Sequence, residues 1–147
     1  MKYLLRSLLI ATACLALPGC SLLMICLMGD RDISKEARFA QVLGGEIRTK
    51  KEMRLYAPDN RCPDDMRRVY NLTDVRDGAE GLTAVVPKGH RVRFDRAVEK
   101  NGLGGASEHL YGEITLHGQT YPMYYYLSSS VYPDAWRRMY GVFEIRE

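Results

Sequence analysis

Hydrophobic and polar residues alternate with a period of two along most of the chain after residue 46. The alternating segments are short and are separated by glycine, proline, asparagine and aspartate, a pattern typical of β-strands joined by turns. The predicted strands cover residues 46–56, 66–72, 82–86, 90–98, 108–116, 119–127 and 138–146. Residues 33–43 instead show helical spacing, with Ser34 as the predicted N-cap and Phe39, Val42 and Leu43 on one face.

The strand predicted at 90–98 follows a Pro-Lys-Gly turn at residues 87–89. Alternation directs Val92 and Phe94 to the core and Arg93 to solvent. A turn that launches a strand in this way resembles the strand entry of small Src-homology-3-like barrels of the bacterial envelope. Together with the spacing of the strands, this resemblance predicts a mainly β fold. We expect a small, partly open Src-homology-3-like barrel with one short N-terminal helix.

The strongest local prediction is a β-hairpin over residues 108–127. Its turn is His117-Gly118, at the point where a two-residue hairpin turn requires positive φ angles. We expect Leu116 to pair with Gln119, because this register places the alternate apolar positions of both strands on one face. These predicted core positions are Leu110, Gly112, Ile114, Leu116, Tyr121, Met123 and Tyr125.

The opposite face of this hairpin is the candidate binding site. The same register places His109 opposite Tyr126 and Tyr111 opposite Tyr124. Aromatic rings with a polar tip provide a large contact area at a small cost in entropy, so they are common at interfaces. Two interpretations remain open. The face is either an exposed recognition surface or a secondary core, covered by the helix at 33–43 or by the strand at 138–146.

The sequence contains no convincing catalytic or metal-binding set. Ser107 and His109 lie two residues apart on one strand, but a nucleophilic pair also needs a third, orienting acid. The three histidines are dispersed and show no metal-ligand spacing. The acidic residues that surround Cys62 lack the alternating ligands and central glycine of a calcium loop; they are Asp59, Asp64 and Asp65. We therefore expect a protein that is not an enzyme and that binds neither metal nor cofactor.

Residues 1–19 have the organisation of a secretory signal peptide. Lys2 and Arg6 form a basic start, and residues 7–17 are uncharged and mostly apolar. The segment closes on Leu17-Pro18-Gly19-Cys20, which resembles the lipobox of bacterial lipoproteins. In that family the cysteine thiol receives a diacylglycerol, and the peptide is cut before the cysteine. The resemblance covers about the first twenty residues and implies lipidation at Cys20. After a membrane-proximal segment at 20–32, the length of the remaining chain predicts one globular domain at 33–147.

A different membrane attachment is also open. No charge occurs between residues 7 and 28, which is long enough to span a bilayer as one helix. An uncleaved signal anchor is favoured by the apolar residues 21–28 and opposed by Pro18-Gly19, because proline interrupts a helix. A soluble secreted form is the third alternative. Both membrane readings place the domain outside the cytoplasm, in the bacterial cell envelope. In lipoproteins, Ser21 after the cysteine favours the outer membrane if the host is Gram-negative.

Charge and cysteine content narrow the choice of partner. The chain has 21 basic and 18 acidic side chains, and removal of Lys2 and Arg6 with the signal peptide leaves a net charge of +1. A chain so close to neutral lacks the electrostatic footprint of a nucleic-acid-binding protein. Cys26 and Cys62 can pair as a disulfide in an oxidising envelope, although Cys26 lies close to the membrane.

These observations favour a membrane-anchored envelope lipoprotein that acts as a non-enzymatic binding module for a protein or peptide. An immunity or inhibitor protein is one concrete version, since it needs small size and no catalytic set. The first alternative is a structural module that contacts the cell wall through its tyrosines. A single-pass signal-anchored protein is the second, and a small hydrolase is disfavoured. Fold by itself does not decide among them.

Overall fold

The computed structural model describes residues 29–58, 68–75, 78, 80–102, 105–129 and 135–145. The strands within these residues are β1 (Arg31–Asp32), β2 (Glu46–Thr49), β3 (Met53–Tyr56), β4 (Tyr70–Thr73), β5 (Leu82–Val86), β6 (Arg91–Gly102), β7 (Gly105–Leu116), β8 (Gln119–Ser129) and β9 (Phe143–Glu144). Helical structure comprises two 3-10 turns, Ala37–Phe39 and Ala135–Arg137, and one short α-helix, α1 (Arg138–Val142).

The strands form one curled sheet in the order β5-β3-β4-β8-β7-β6-β2-β9, and β1 pairs with the edge of β6. The long strands β6, β7 and β8 form an antiparallel meander at its centre. Among the described pairs of strands, only β4 and β8 are parallel. The curled sheet encloses one apolar core and confirms the predicted mainly β fold, a small and partly open barrel.

The β7–β8 hairpin has the predicted register. Leu116 pairs with Gln119, and the same register continues as far as the pair of His109 and Tyr126. Both turn residues have positive φ, 50° at His117 and 81° at Gly118, as a tight hairpin turn requires. A bulge next to Glu108 then shifts the rest of the ladder. Leu110, Ile114, Leu116, Met123 and Tyr125 are buried, and Tyr121 packs against them half-buried.

The predicted helix at 33–43 is only one 3-10 turn, because the chain before it is hydrogen-bonded to β6. Ser34 is not an N-cap: its hydroxyl bonds to both the N–H and the carbonyl of Ala97, at 2.9 and 3.3 Å. The N-cap position is occupied by Glu36, which makes no side-chain cap. Phe39 and Val42 point into the core as predicted.

The strand predicted at 46–56 is divided into β2 and β3, since the chain crosses here from one side of the barrel to the other. Thr49 ends β2 as a fully buried polar residue. Its hydroxyl donates to the carbonyl of Pro87 at 2.9 Å and accepts the N–H of His90 at 3.0 Å. Thr49 therefore holds the turn before β6 against the end of β2. The strand predicted at 66–72 begins, within the described residues, at Tyr70.

The prediction of a strand at 138–146 is wrong over most of its length. The chain forms α1 first, and among the described residues of this segment only Phe143–Glu144 pairs with β2 as a strand. Met139, Val142 and Phe143 are buried. Val142 and Phe143 follow Met139 by three and four residues, which is helical spacing and differs from the period of two in a strand.

Candidate functional site

The structure brings the four residues of the candidate binding face together. His109 and Tyr111 lie on β7, and Tyr124 and Tyr126 lie next to them on β8. The ring of His109 is 5.4 Å from that of Tyr126 and 5.5 Å from that of Tyr124, measured between centroids. The rings of Tyr111 and Tyr124 are 6.0 Å apart. We call these four residues the tyrosine face.

Exposure rises across the tyrosine face from β7 to β8. His109 and Tyr111 are each 7% exposed, whereas Tyr126 is 44% exposed. The two segments considered above as covers contribute instead to the core on the opposite side of the sheet, through Phe39 of the 3-10 turn and Phe143 of β9. The tyrosine face thus combines two buried rings on β7 with the exposed ring of Tyr126 on β8.

Two cations from β6 lie over the buried end of the tyrosine face. The guanidinium carbon of Arg96 is 5.0 Å from the centre of the Tyr111 ring, and the ammonium of Lys100 is 5.8 Å from it. Both distances are within the range of cation–π attraction. Lys100 also forms a 3.2 Å ion pair with Asp30. These contacts restrict the Tyr111 ring and shield it from water.

His109 is hydrogen-bonded but lacks an orienting acid among the described residues. Its Nε2 lies 3.0 Å from the hydroxyl of Ser107, while its Nδ1 is buried and has no hydrogen-bond partner in the part of the chain that the structure describes. Burial, together with the positive charge of Lys100, lowers the pKa of His109 to about 4 against an opposing effect of Asp30. The ring is therefore neutral at pH 7. The predicted proximity of Ser107 and His109 is real, but the third member of a nucleophilic triad is not among their described partners.

Two cavities lie at opposite ends of one row of residues on the sheet face opposite the core. The row crosses five strands through neighbouring positions: Arg96, Tyr111, Tyr124, Asn71 and Tyr56. The cavity at the Arg96 end has a volume of about 190 Å³ and is lined by Asp30, Asp32, Arg96, Val98 and Tyr111. The cavity at the Tyr56 end has a volume of about 360 Å³ and is lined by Tyr56, Ala57, Val69, Asn71, Gly78, Glu80 and Tyr124. We call the latter the Glu80 cavity.

Sequence reasoning missed Tyr56 and Asn71. They reach the tyrosine face only because β4 pairs in parallel with β8, so that Asn71 lies beside Tyr124. A parallel pair has no tight turn to set its register. Although β4 and β8 are neighbours in the sheet, they are separated along the chain by β5, β6 and β7. Alternation does indicate that Tyr56 and Asn71 point outward, but it contains no signal that they are neighbours.

A third cavity, of about 390 Å³, lies where β2, β6 and β7 meet. Its charged side chains already neutralise one another. Arg91 is 3.2 Å from Glu46, and Arg93 is 3.8 Å from Glu113. Such exposed pairs contribute little to stability. We interpret this cavity as a solvated surface lined by ion pairs and not as a recognition site.

The remaining predicted site residues lie outside the described residues: Cys20, Cys26 and Cys62. Lipidation and the disulfide therefore stay predictions. Within the described part of the chain, no group of three His, Cys, Asp or Glu side chains could hold a metal ion. No helix in that part is long and apolar enough to cross a membrane.

Comparisons of the chain with protein-family models, with curated proteins and with solved structures found no match.

Proposed function

We propose that this chain is a membrane-anchored envelope lipoprotein whose β domain is a non-enzymatic binding module for a protein or peptide partner. The observation that carries the proposal is the exposed ring of Tyr126, which stands beside the buried ring of His109 at 5.4 Å. The tyrosine face is the recognition surface.

The physical reason is preorganisation. Binding costs less when the contacting side chains are already ordered, because little conformational entropy is lost on association. Tyr126 and Tyr124 pack against His109, whose hydrogen bond to Ser107 fixes the plane of its ring. Aromatic residues with a polar tip are also the residue types most enriched in binding hot spots. Tyr126 is thereby an anchor that is positioned before the partner arrives.

The first test of the tyrosine face measures partner binding by the full-length chain, purified in detergent. Replacing both Tyr124 and Tyr126 with serine should weaken binding of the envelope partner by about 30-fold or more, since hot-spot truncations cost about 2 kcal/mol or more. The melting temperature should change little. Partners are first captured from envelope extract and identified by mass spectrometry, and the affinity is then measured with the purified partner.

The matched control is Val85→Ser. Val85 is 46% exposed, close to the 44% of Tyr126, and it lies on β5 away from the tyrosine face. This variant should keep full binding. If the double tyrosine variant instead loses several kcal/mol of stability, the tyrosines form a secondary core and the recognition proposal fails. If the captured material is cell-wall glycan, the structural alternative replaces it.

The anchor has its own test in a bacterial host. Cys20→Ala should abolish metabolic labelling with palmitate and leave an unprocessed precursor, because the acyl acceptor is lost and cleavage follows acylation in lipoproteins. Ser21→Ala is the control and should be labelled normally. Unchanged labelling and an unchanged amino terminus in Cys20→Ala would refute the lipoprotein proposal in favour of the signal anchor.

A further inference from the structure

The Glu80 cavity shares Tyr124 with the tyrosine face, so the two form one continuous surface. Its volume of about 360 Å³ is enough for one large side chain of a bound polypeptide. Tyr56 on β3 and Tyr124 on β8 line it from either side of Asn71 on β4. The cavity therefore extends the tyrosine face beyond the hairpin that defines it.

The chemistry of the cavity favours a cation. Among the described residues that line it, Glu80 is the one charged side chain. The hydroxyl of Tyr56 donates to the carbonyl of Gly78 at 3.2 Å, which holds this tyrosine in place. Asn71 adds an amide that can accept a hydrogen bond. A negative charge, neutral acceptors and aromatic rings together suit a positively charged group.

The opposite end of the same row shows that a tyrosine of this surface accommodates cations. There the guanidinium of the chain's own Arg96 lies 5.0 Å from the centre of the Tyr111 ring, closer than the ammonium of Lys100 at 5.8 Å. A guanidinium is planar, stacks on aromatic rings and forms paired hydrogen bonds with a carboxylate, whereas an ammonium acts as a compact point charge. A ring beside a carboxylate, as in the Glu80 cavity, matches the guanidinium better.

We propose that the Glu80 cavity binds an arginine side chain of the partner polypeptide, with its guanidinium paired with Glu80 and stacked against Tyr124. The inference rests on the proposed function, since it names the chemistry of the partner that the tyrosine face recognises. It adds the requirement that the partner carries a positive charge to a surface that is otherwise defined by its aromatic contact area.

The test is a nuclear magnetic resonance titration of the full-length chain in detergent micelles. The probe is the acetylated and amidated tripeptide Gly-Arg-Gly at millimolar concentration. We expect shifts of the amide signals of Tyr56, Asn71 and Tyr124. The same peptide with citrulline, which is neutral but has almost the same shape, should produce none. A lysine peptide should bind several-fold more weakly than the arginine peptide.

Variants locate the binding. Glu80→Gln should weaken the arginine peptide about tenfold, the loss expected for one charge-assisted hydrogen bond. Glu113→Gln is the matched control, because Glu113 is also an exposed carboxylate and lies away from the cavity; it should bind like the original chain. Equal binding of the citrulline or lysine peptide, unchanged binding by Glu80→Gln, or no shift at all would overturn the proposal.

Failure of this inference can be separated from failure of the proposed function. If Tyr124 and Tyr126 are needed for partner binding but the arginine peptide does not bind, the recognition surface stands and the guanidinium site is wrong. If the arginine peptide binds at Glu80 while the tyrosine variants keep the partner, the cavity stands and the recognition surface is wrong.

Discussion

Replacing Phe94 with alanine should lower the free energy of unfolding by about 3–5 kcal/mol, the range for truncation of a large buried aromatic residue. Phe94 is fully buried, and its ring meets that of Phe143 edge to face at 5.3 Å. Its carbonyl also accepts the N–H of Gly44. Truncation would leave a cavity where β6, β9 and the segment before β2 meet. A domain of this size has a total stability of about 5–15 kcal/mol, so the loss is a large fraction of it.

The control for this prediction is the neighbouring residue. Arg93→Ala should change stability by no more than about 0.5 kcal/mol, because exposed positions are usually tolerant. The Arg93 side chain is 56% exposed, and its ion pair with Glu113, at 3.8 Å, is a surface pair of little energetic value. Ile114→Ala, at a buried position of β7, should behave like Phe94→Ala. Thermal and urea unfolding measure all three, and equal melting temperatures for the Phe94 and Arg93 variants would contradict the assignment of inside and outside.

Gly112→Ala should destabilise the fold by about 3 kcal/mol, the upper end for overpacking. A Cβ atom at Gly112 would lie 1.9 Å from the carbonyl oxygen of Arg93 and 2.7 Å from the Cα of Phe94. Both are backbone atoms of the neighbouring strand and cannot rotate away. The β6–β7 ladder has a bulge immediately after this point. Glycine is therefore required here for the close approach of two backbones.

Gly141→Ala is the matched control, measured by the same thermal unfolding. Gly141 lies in α1, and a Cβ atom there would have no neighbour within 4 Å among the described residues outside its own helix. Alanine should leave stability unchanged or raise it slightly, since it is the better helix former. The expectation fails if both glycine variants melt at the same temperature, because strain from β6 would then be absent at Gly112.

Features that depend on near neighbours in the chain were predictable from the sequence. The mainly β class followed from alternation, and the β7–β8 register followed from the His117-Gly118 turn, because a tight turn leaves few ways to pair the two strands. Since a strand points alternate residues to opposite faces, that register also placed His109, Tyr111, Tyr124 and Tyr126 together. The prediction of a lipid anchor at Cys20 also rests on a local pattern, and it stays a prediction because Cys20 lies outside the described residues.

Features that depend on distant neighbours required the tertiary structure. Ser34 is a residue type that often caps a helix, but its hydroxyl bonds to Ala97 on β6. The predicted helix therefore does not begin there, and only the 3-10 turn Ala37–Phe39 forms. The structure forms α1 at Arg138–Val142, so the spacing of the buried residues Met139 and Val142 belongs to a helix. The parallel pairing of β4 with β8 placed Asn71 beside Tyr124 and so created the Glu80 cavity. Pairing between strands far apart in the chain is set by how the whole core packs, and local alternation contains no record of it.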